Sequence, residues 1–326
     1  MSDEIRKSSS MGEKIKGIIP VMLTAFDDHG GIDWESQKRL TEWYLERDSE
    51  SLFAVCQSSE MLHLDLHERE ALARFTVDVV AGRVPVIASG HVGVTLEEQI
   101  TELTQIANTG IDCLVFVTNR LDPDNLGSEH LFKTVETLKQ ELPTELRLGL
   151  YECPVPYRRL LSDDEITYFA QDPRFVILKD VSCDLQTVRR RLELTKNSSL
   201  MISNANAAIA FKAMKSGASG FCGVFNNFHP DLYRWIRDEG EINTDLADEL
   251  ARFLVLSATT EGMGYPKLAK IYHQRLGTIQ SSFSRAVPED IFEKHWALES
   301  ILEKIEEGTE YYRGKIQALR NAQWQS

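Results

Sequence analysis

Short apolar runs rich in β-branched residues alternate along this chain with longer amphipathic stretches. The first run, GIIPVMLT at residues 17–24, is followed by a DDHGG turn at 27–31. Residues 33–47 come next, with Leu40, Trp43 and Tyr44 on one helix face. The same alternation predicts strands over 51–56, 84–89, 112–118, 146–151, 175–179, 200–203 and 220–224. Helices are expected over 66–80, 95–108, 128–141, 162–171, 185–195, 207–216 and 230–239. Thr95 with Glu98 forms a capping pair, SDDE at 162–165 is an acidic helix start, and Gly110 marks a stop.

Eight strand–helix units imply parallel strands covered by helices. A doubly wound sheet would carry a glycine-rich phosphate loop after its first strand, and the loop here, Ala25-Phe26-Asp27-Asp28, has none. Repeated units of about thirty residues predict an α/β fold closed into a (β/α)8 TIM barrel. The 326 residues suit such a barrel, which takes roughly 250, with a C-terminal helical extension. The expected organisation is a flexible tail over 1–15, including Ser8-Ser9-Ser10, then the barrel over 16–240. A helical subdomain packed on the barrel follows over 241–326, with a break at Ala286-Val287-Pro288.

Composition narrows the partners. Thirty-six basic and 50 acidic side chains give a formal net charge of −14, which repels phosphate backbones and argues against nucleic acid. No long basic run is present to hold an anionic membrane surface, and the longest apolar stretches, such as 113–117, are far too short to span a bilayer. Five dispersed cysteines without a CxxC pair fit reduced thiols, and the N-terminus lacks the apolar core of a signal peptide. A cytoplasmic protein is expected.

In a barrel of this kind the active site lies at the C-terminal ends of the strands. That rule nominates Thr24, Cys56 to Glu60, Ser89, Thr118, Tyr151, Lys179, Ser203, Asn204 and Val224. Lys179 ends the apolar run FVILK and Tyr151 ends LGLY. Burial disfavours an ammonium ion, and a neutral amine attacks carbonyls, so a lysine at this place suits Schiff-base chemistry. The alternatives are a lysine paired with a carboxylate such as Asp180, or one reaching solvent from the strand end. Tyr151 suits proton transfer during carbinolamine formation and collapse; the alternative is packing with a satisfied hydroxyl.

Four segments carry a family resemblance: GIIPVMLTAFDDHGGID at 17–33, VIASGHVGVTLEEQI at 86–100, FVILKDVS at 175–182 and GASGFCGVFNNFHP at 217–230. Together with the 28-residue spacing from Tyr151 to Lys179, they resemble the dihydrodipicolinate synthase / N-acetylneuraminate lyase family of pyruvate-dependent class I aldolases. The resemblance spans residues 17–240 and weakens in the helical tail. It implies Lys179 as the Schiff-base lysine, Tyr151 as the proton-transfer residue, and Gln57, Ser58, Ser59, Asn204 and Gly223 as substrate-binding residues. It further implies a lyase acting on pyruvate or a related 2-oxo acid with an aldehyde, no cofactor, no metal, and a homo-oligomer, dimer or tetramer. A dehydratase or a non-catalytic 2-oxo-acid-binding barrel of the same family is the alternative.

Several positions depart from the family pattern. The family's Gly-Thr-Thr-Gly-Glu loop reads Cys56-Gln57-Ser58-Ser59-Glu60, retaining donors for a carboxylate. The loop after the fourth strand, Thr118-Asn119-Arg120-Leu121-Asp122, lacks the family's tyrosines. The place of the synthases' carboxylate-binding arginine is Pro156, with Arg158 and Arg159 as nearby substitutes. The acids with which the sugar-acid lyases bind hydroxyls become Ala207 and Ala208. A second substrate different from that of either named activity is therefore expected.

Other groupings read as structural. Glu60, His63 and His67 form a weak metal constellation. Cys56, Cys153 and Cys222 read as barrel packing, Gly90 and Gly93 as a weak phosphate loop, and Arg189-Arg190-Arg191 as a solvated helix face or subunit contact.

Overall fold

The computed structural model describes residues 15–323. The serine-rich tail expected before Ile15 lies outside the described residues, but Ile15 itself is buried in the core. Eight strands alternate with helices in chain order. They are β1 Gly17–Ile18, β2 Leu52–Val55, β3 Val86–Ala88, β4 Cys113–Val117, β5 Arg147–Tyr151, β6 Phe175–Asp180, β7 Met201–Asn204 and β8 Gly220–Phe221. The covering helices are α1 Trp34–Glu46, α2 Leu66–Val80, α3 Leu96–Ala107, the short α4 Thr118–Leu121, α5 Ser128–Gln140, α6 Asp163–Gln171, α7 Leu185–Thr195, α8 Ala210–Lys215 and α9 Pro230–Asp238.

All strand pairs are parallel, in the order β1-β8-β7-β6-β5-β4-β3-β2. Beyond β1 the chain bridges β2 at Val21 and Phe53. The Phe53 amide donates to the Pro20 carbonyl, and the Met22 amide to that of Phe53, each at 3.0 Å. These bonds close the sheet into the expected (β/α)8 barrel.

The local chemistry explains the elements and their limits. The capping pair holds: Thr95 and Glu98 exchange bonds at the start of α3, and the acidic start of α6 proves to be a second such pair, Ser162 with Glu165. The first strand is shorter than the run over 17–24 because Pro20 has no N–H to give to the ladder. β8 ends at Phe221, and residues 224–227 form a 3-10 turn. Gly17, at φ 86°, and Gly220 let β1 and β8 meet; a Cβ on Gly220 would stand 1.8 Å from the Gly17 carbonyl oxygen.

After α9 come α10 Thr244–Ala258, α11 Lys267–Arg275, α12 Ile291–Lys294 and α13 Leu298–Gln323. The break expected at 286–288 belongs to a longer non-helical stretch, 276–290. It crosses the barrel mouth rather than merely separating helices: the Ala286 amide binds the Glu60 carboxylate. Among the described residues no helix is long and apolar enough to cross a membrane.

Three histidines lie wholly inside. Burial pushes His91 down to about 4, and His229 and His273 to about 3. Their folded values fall below the ordinary histidine value, so the unfolded chain binds more protons between them. This contribution is complete above pH 6.5 and declines as pH falls toward 3–4. Stability is expected to drop by roughly 1–2 kcal/mol per histidine between pH 6.5 and 5. Urea unfolding midpoints measured at both pH values check this; equal midpoints would contradict it.

Candidate active site

The barrel mouth holds a cavity of about 700 Å³. Its floor is set by strand register. Tyr151 at the end of β5 pairs with Lys179 on β6, which pairs in turn with Ser203 on β7. Adjacent parallel strands thus bring the two side chains nominated from sequence into contact. Lys179 Nζ lies 4.3 Å from the centroid of the Tyr151 ring and 5.7 Å from that of Phe53. Lys179 is only 6% exposed.

Neither alternative for Lys179 describes its placement. Its residual exposure is to the cavity, and Asp180 is engaged elsewhere. Arg191 on α7 binds the Asp180 carboxylate and grips Glu152 with both terminal nitrogens, at 2.9 and 2.6 Å. The expectation of a solvated arginine run therefore fails at this residue: Arg189 binds Ser216 and Arg190 binds Asp163 on the outside, but Arg191 is buried. Glu152 also accepts from the amides of Leu161 and Val181, at 2.7 and 3.0 Å. Burial still pushes the Glu152 carboxyl up, against the pull of Arg191. The residues that follow Tyr151 and Lys179 are thereby tied together by one arginine of α7.

Tyr151 donates to the Gln57 amide oxygen at 3.3 Å. Burial is the main cause holding its phenol well above the ordinary tyrosine value, so it remains protonated near neutral pH. Gln57, Ser58 and Glu60 line the cavity from the loop after β2. That loop turns at Glu60, whose φ is 61°, and its carboxylate is clamped from the C-terminal extension. Lys270 binds it, the Ser284 hydroxyl donates at 3.0 Å and the Ala286 amide at 2.7 Å. Burial draws Lys270 down to about 8, with Glu60 opposing the shift. Among the described residues there is no group of three His, Cys, Asp or Glu that could hold a metal ion.

Of the expected substrate-binding residues, Gln57, Ser58 and Gly223 line the cavity. Ser59 and Asn204 do not. The Ser59 hydroxyl donates to the Ala54 carbonyl and accepts from the Cys56 amide. Asn204 binds both backbone groups of Asn206. Local backbone partners outcompete the cavity for these short polar side chains.

The loops that depart from the family pattern serve as scaffolding. Asn119 donates to the carbonyls of Cys153, Val155 and Tyr157. Arg159 is ion-paired with Asp122 and Glu165, and Arg158 donates to the Val181 and Ser182 carbonyls. Neither arginine lines the cavity. The amides of Gly93 and its neighbour Val92 donate to the Glu102 carboxylate. Cys153 and Cys222 are buried with thiols pushed up, Cys222 to about 12, as fits packing.

Sequence reasoning missed the cavity wall supplied by the extension. Val255, Ala258, Glu261 and Tyr265 all face the cavity that contains Lys179. The Tyr265 hydroxyl accepts from Asn227 at 2.9 Å.

A (β/α)8 barrel with a buried strand-end lysine against a tyrosine at its mouth has the arrangement of a class I lyase. The chain belongs to the dihydrodipicolinate synthetase family, which matches residues 14–289. Members of that family are lyases of the Schiff-base type. The 4-hydroxy-tetrahydrodipicolinate synthase of Saccharophagus degradans is 28% identical over 225 residues, 67% of this chain and 73% of that protein. The structure of the corresponding synthase from Methylacidiphilum fumariolicum superposes with a TM-score of 0.80 at 20% identity, covering 94% of this chain and 99% of its own. A dihydrodipicolinate synthase from Acinetobacter baumannii, solved with pyruvate, gives a TM-score of 0.78 at 21% identity over 90% of this chain and 99% of its own. These two structures share the fold.

Proposed function

We propose that this protein forms a Schiff base between Lys179 and pyruvate or a related 2-oxo acid, and makes or breaks a carbon–carbon bond with an aldehyde. The observation that carries the reading is the buried Lys179 amine, without an ion pair among the described residues, against the Tyr151 ring in the cavity at the barrel mouth. The amine adds to the C2 carbonyl of the oxo acid. The Tyr151 phenol supplies the proton with which the carbinolamine hydroxyl leaves as water. Ser58 and backbone amides of the loop after β2 receive the oxo-acid carboxylate. The protonated imine draws electrons from C3, which loses a proton to give the enamine. C3 then attacks the aldehyde carbon; the new C–C bond forms as the aldehyde oxygen takes a proton. Hydrolysis of the imine frees the product and Lys179.

Enamine formation is testable without knowing the aldehyde. Pyruvate methyl protons are expected to exchange with deuterium oxide in the presence of the protein, followed by proton NMR. Tyr151→Phe is expected to slow this by about 10²–10⁴-fold. Exchange no faster than in buffer would remove the reading, and an unaffected Tyr151→Phe variant would remove the role of Tyr151.

A further inference from the structure

The outer part of the cavity differs chemically from its floor. Val155, Ala207, Ala208, Val224, Val255 and Ala258 give it apolar walls. Among the described residues, Lys179 is the only lysine or arginine that lines it. Two carboxylates do so as well. Glu60 is consumed by Lys270, Ser284 and the Ala286 amide. Glu261, in the 3-10 turn Thr259–Met263 after α10, has neither a side-chain hydrogen bond nor an ion pair among the described residues. The arginines that could have held a substrate carboxylate are bound away from the cavity, Arg158 on carbonyls and Arg159 between two acids.

The charges then constrain what fits above a bound oxo acid. The protonated imine on Lys179 is offset by the oxo acid's own carboxylate, and Glu261 leaves the cavity negative. A second anionic group near the mouth would meet like charge at Glu261. Glu261 is exposed at the rim of the cavity, so a substrate hydroxyl there replaces water as the donor to its carboxylate. Partial burial pushes the Glu261 carboxyl up, and the Lys179 charge opposes the shift.

We propose that Glu261 selects the second substrate, an uncharged aldehyde whose hydroxyl donates to the Glu261 carboxylate while its carbon chain lies on the wall of Ala207, Ala208, Val255 and Ala258. The proposal rests on the Schiff-base reading of Lys179. Aldehydes ending in a carboxylate are poor substrates, which sets this cavity apart from one built for an acidic semialdehyde.

Condensation of pyruvate with D-glyceraldehyde, propanal and succinic semialdehyde tests this, each rate normalised to the same variant's pyruvate deuterium exchange. The wild-type protein is expected to prefer glyceraldehyde to both others by about tenfold in kcat/KM, the size of one hydrogen bond to a charged group. Glu261→Gln should lose most of the preference over succinic semialdehyde, and Glu261→Arg should reverse it. Faster turnover of succinic semialdehyde by the wild type would overturn the proposal. So would the same preference in all three proteins, or no condensation with any of the three beside normal exchange. Absence of pyruvate exchange in the wild type would instead overturn the Schiff-base reading beneath it, and the proposal with it.

Discussion

Lys179→Ala is expected to abolish turnover, by at least about four orders of magnitude, the scale on which loss of a covalent nucleophile acts. Among the described residues no other lysine lines the cavity. Lys270, the other buried lysine of the region, is fixed by Glu60 and does not line the cavity. The fold should survive the change, because among the described residues Lys179 forms no ion pair, and Asp180 beside it is held by Arg191. Its removal gives up contact with the Tyr151 and Phe53 rings and widens a cavity that is already open. Pyruvate exchange and the thermal midpoint, measured on the same sample, separate the two effects. Retained exchange would contradict the role of Lys179, and lost exchange with lost folding would leave Lys179→Arg to separate chemistry from stability, since arginine keeps the charge without a nucleophile.

Arg191→Met is expected to have the largest effect on stability. Methionine replaces most of the stem but leaves Glu152 and Asp180 facing each other, both wholly buried, without their cation. Breaking a buried ionic group in this way costs about 3–5 kcal/mol. Glu152 and Asp180 immediately follow Tyr151 and Lys179, so the disturbance reaches the ends of β5 and β6 and activity should fall as well. Adding Glu152→Gln and Asp180→Asn should recover part of the loss by removing the unpaired charges. Urea unfolding of the single and triple variants checks both statements; a loss below about 1 kcal/mol in the single variant would show that the carboxylates find other partners.

The sequence exposed the fold because periodicity changed cleanly between strands and helices eight times. Strand ends were harder. Pro20 shortens β1, and Thr118, read as the end of a strand, begins α4 because β4 stops at Val117. Lys179 and Tyr151 were legible because each stands at the end of an apolar run, and strand register does the rest. Ser59 and Asn204 occupy the right loops but spend their polar atoms on local backbone, a competition that residue type alone does not decide. Arg191 carried a usable signal: Val188, Arg191 and Thr195 share one buried face of α7, so the third arginine of the run turns inward. Glu261 and Lys270 carried none. Each sits in an amphipathic segment 80 or more residues beyond Lys179, and only the folding of the extension across the barrel mouth brings them to the site.

Borohydride reduction in the presence of pyruvate, followed by intact-mass measurement and peptide mapping, tests the central claim most directly. One reduced pyruvate adduct per chain on Lys179, absent from Lys179→Ala, is the expected result. No adduct on folded protein, or an adduct carried by Lys270 instead, would contradict it.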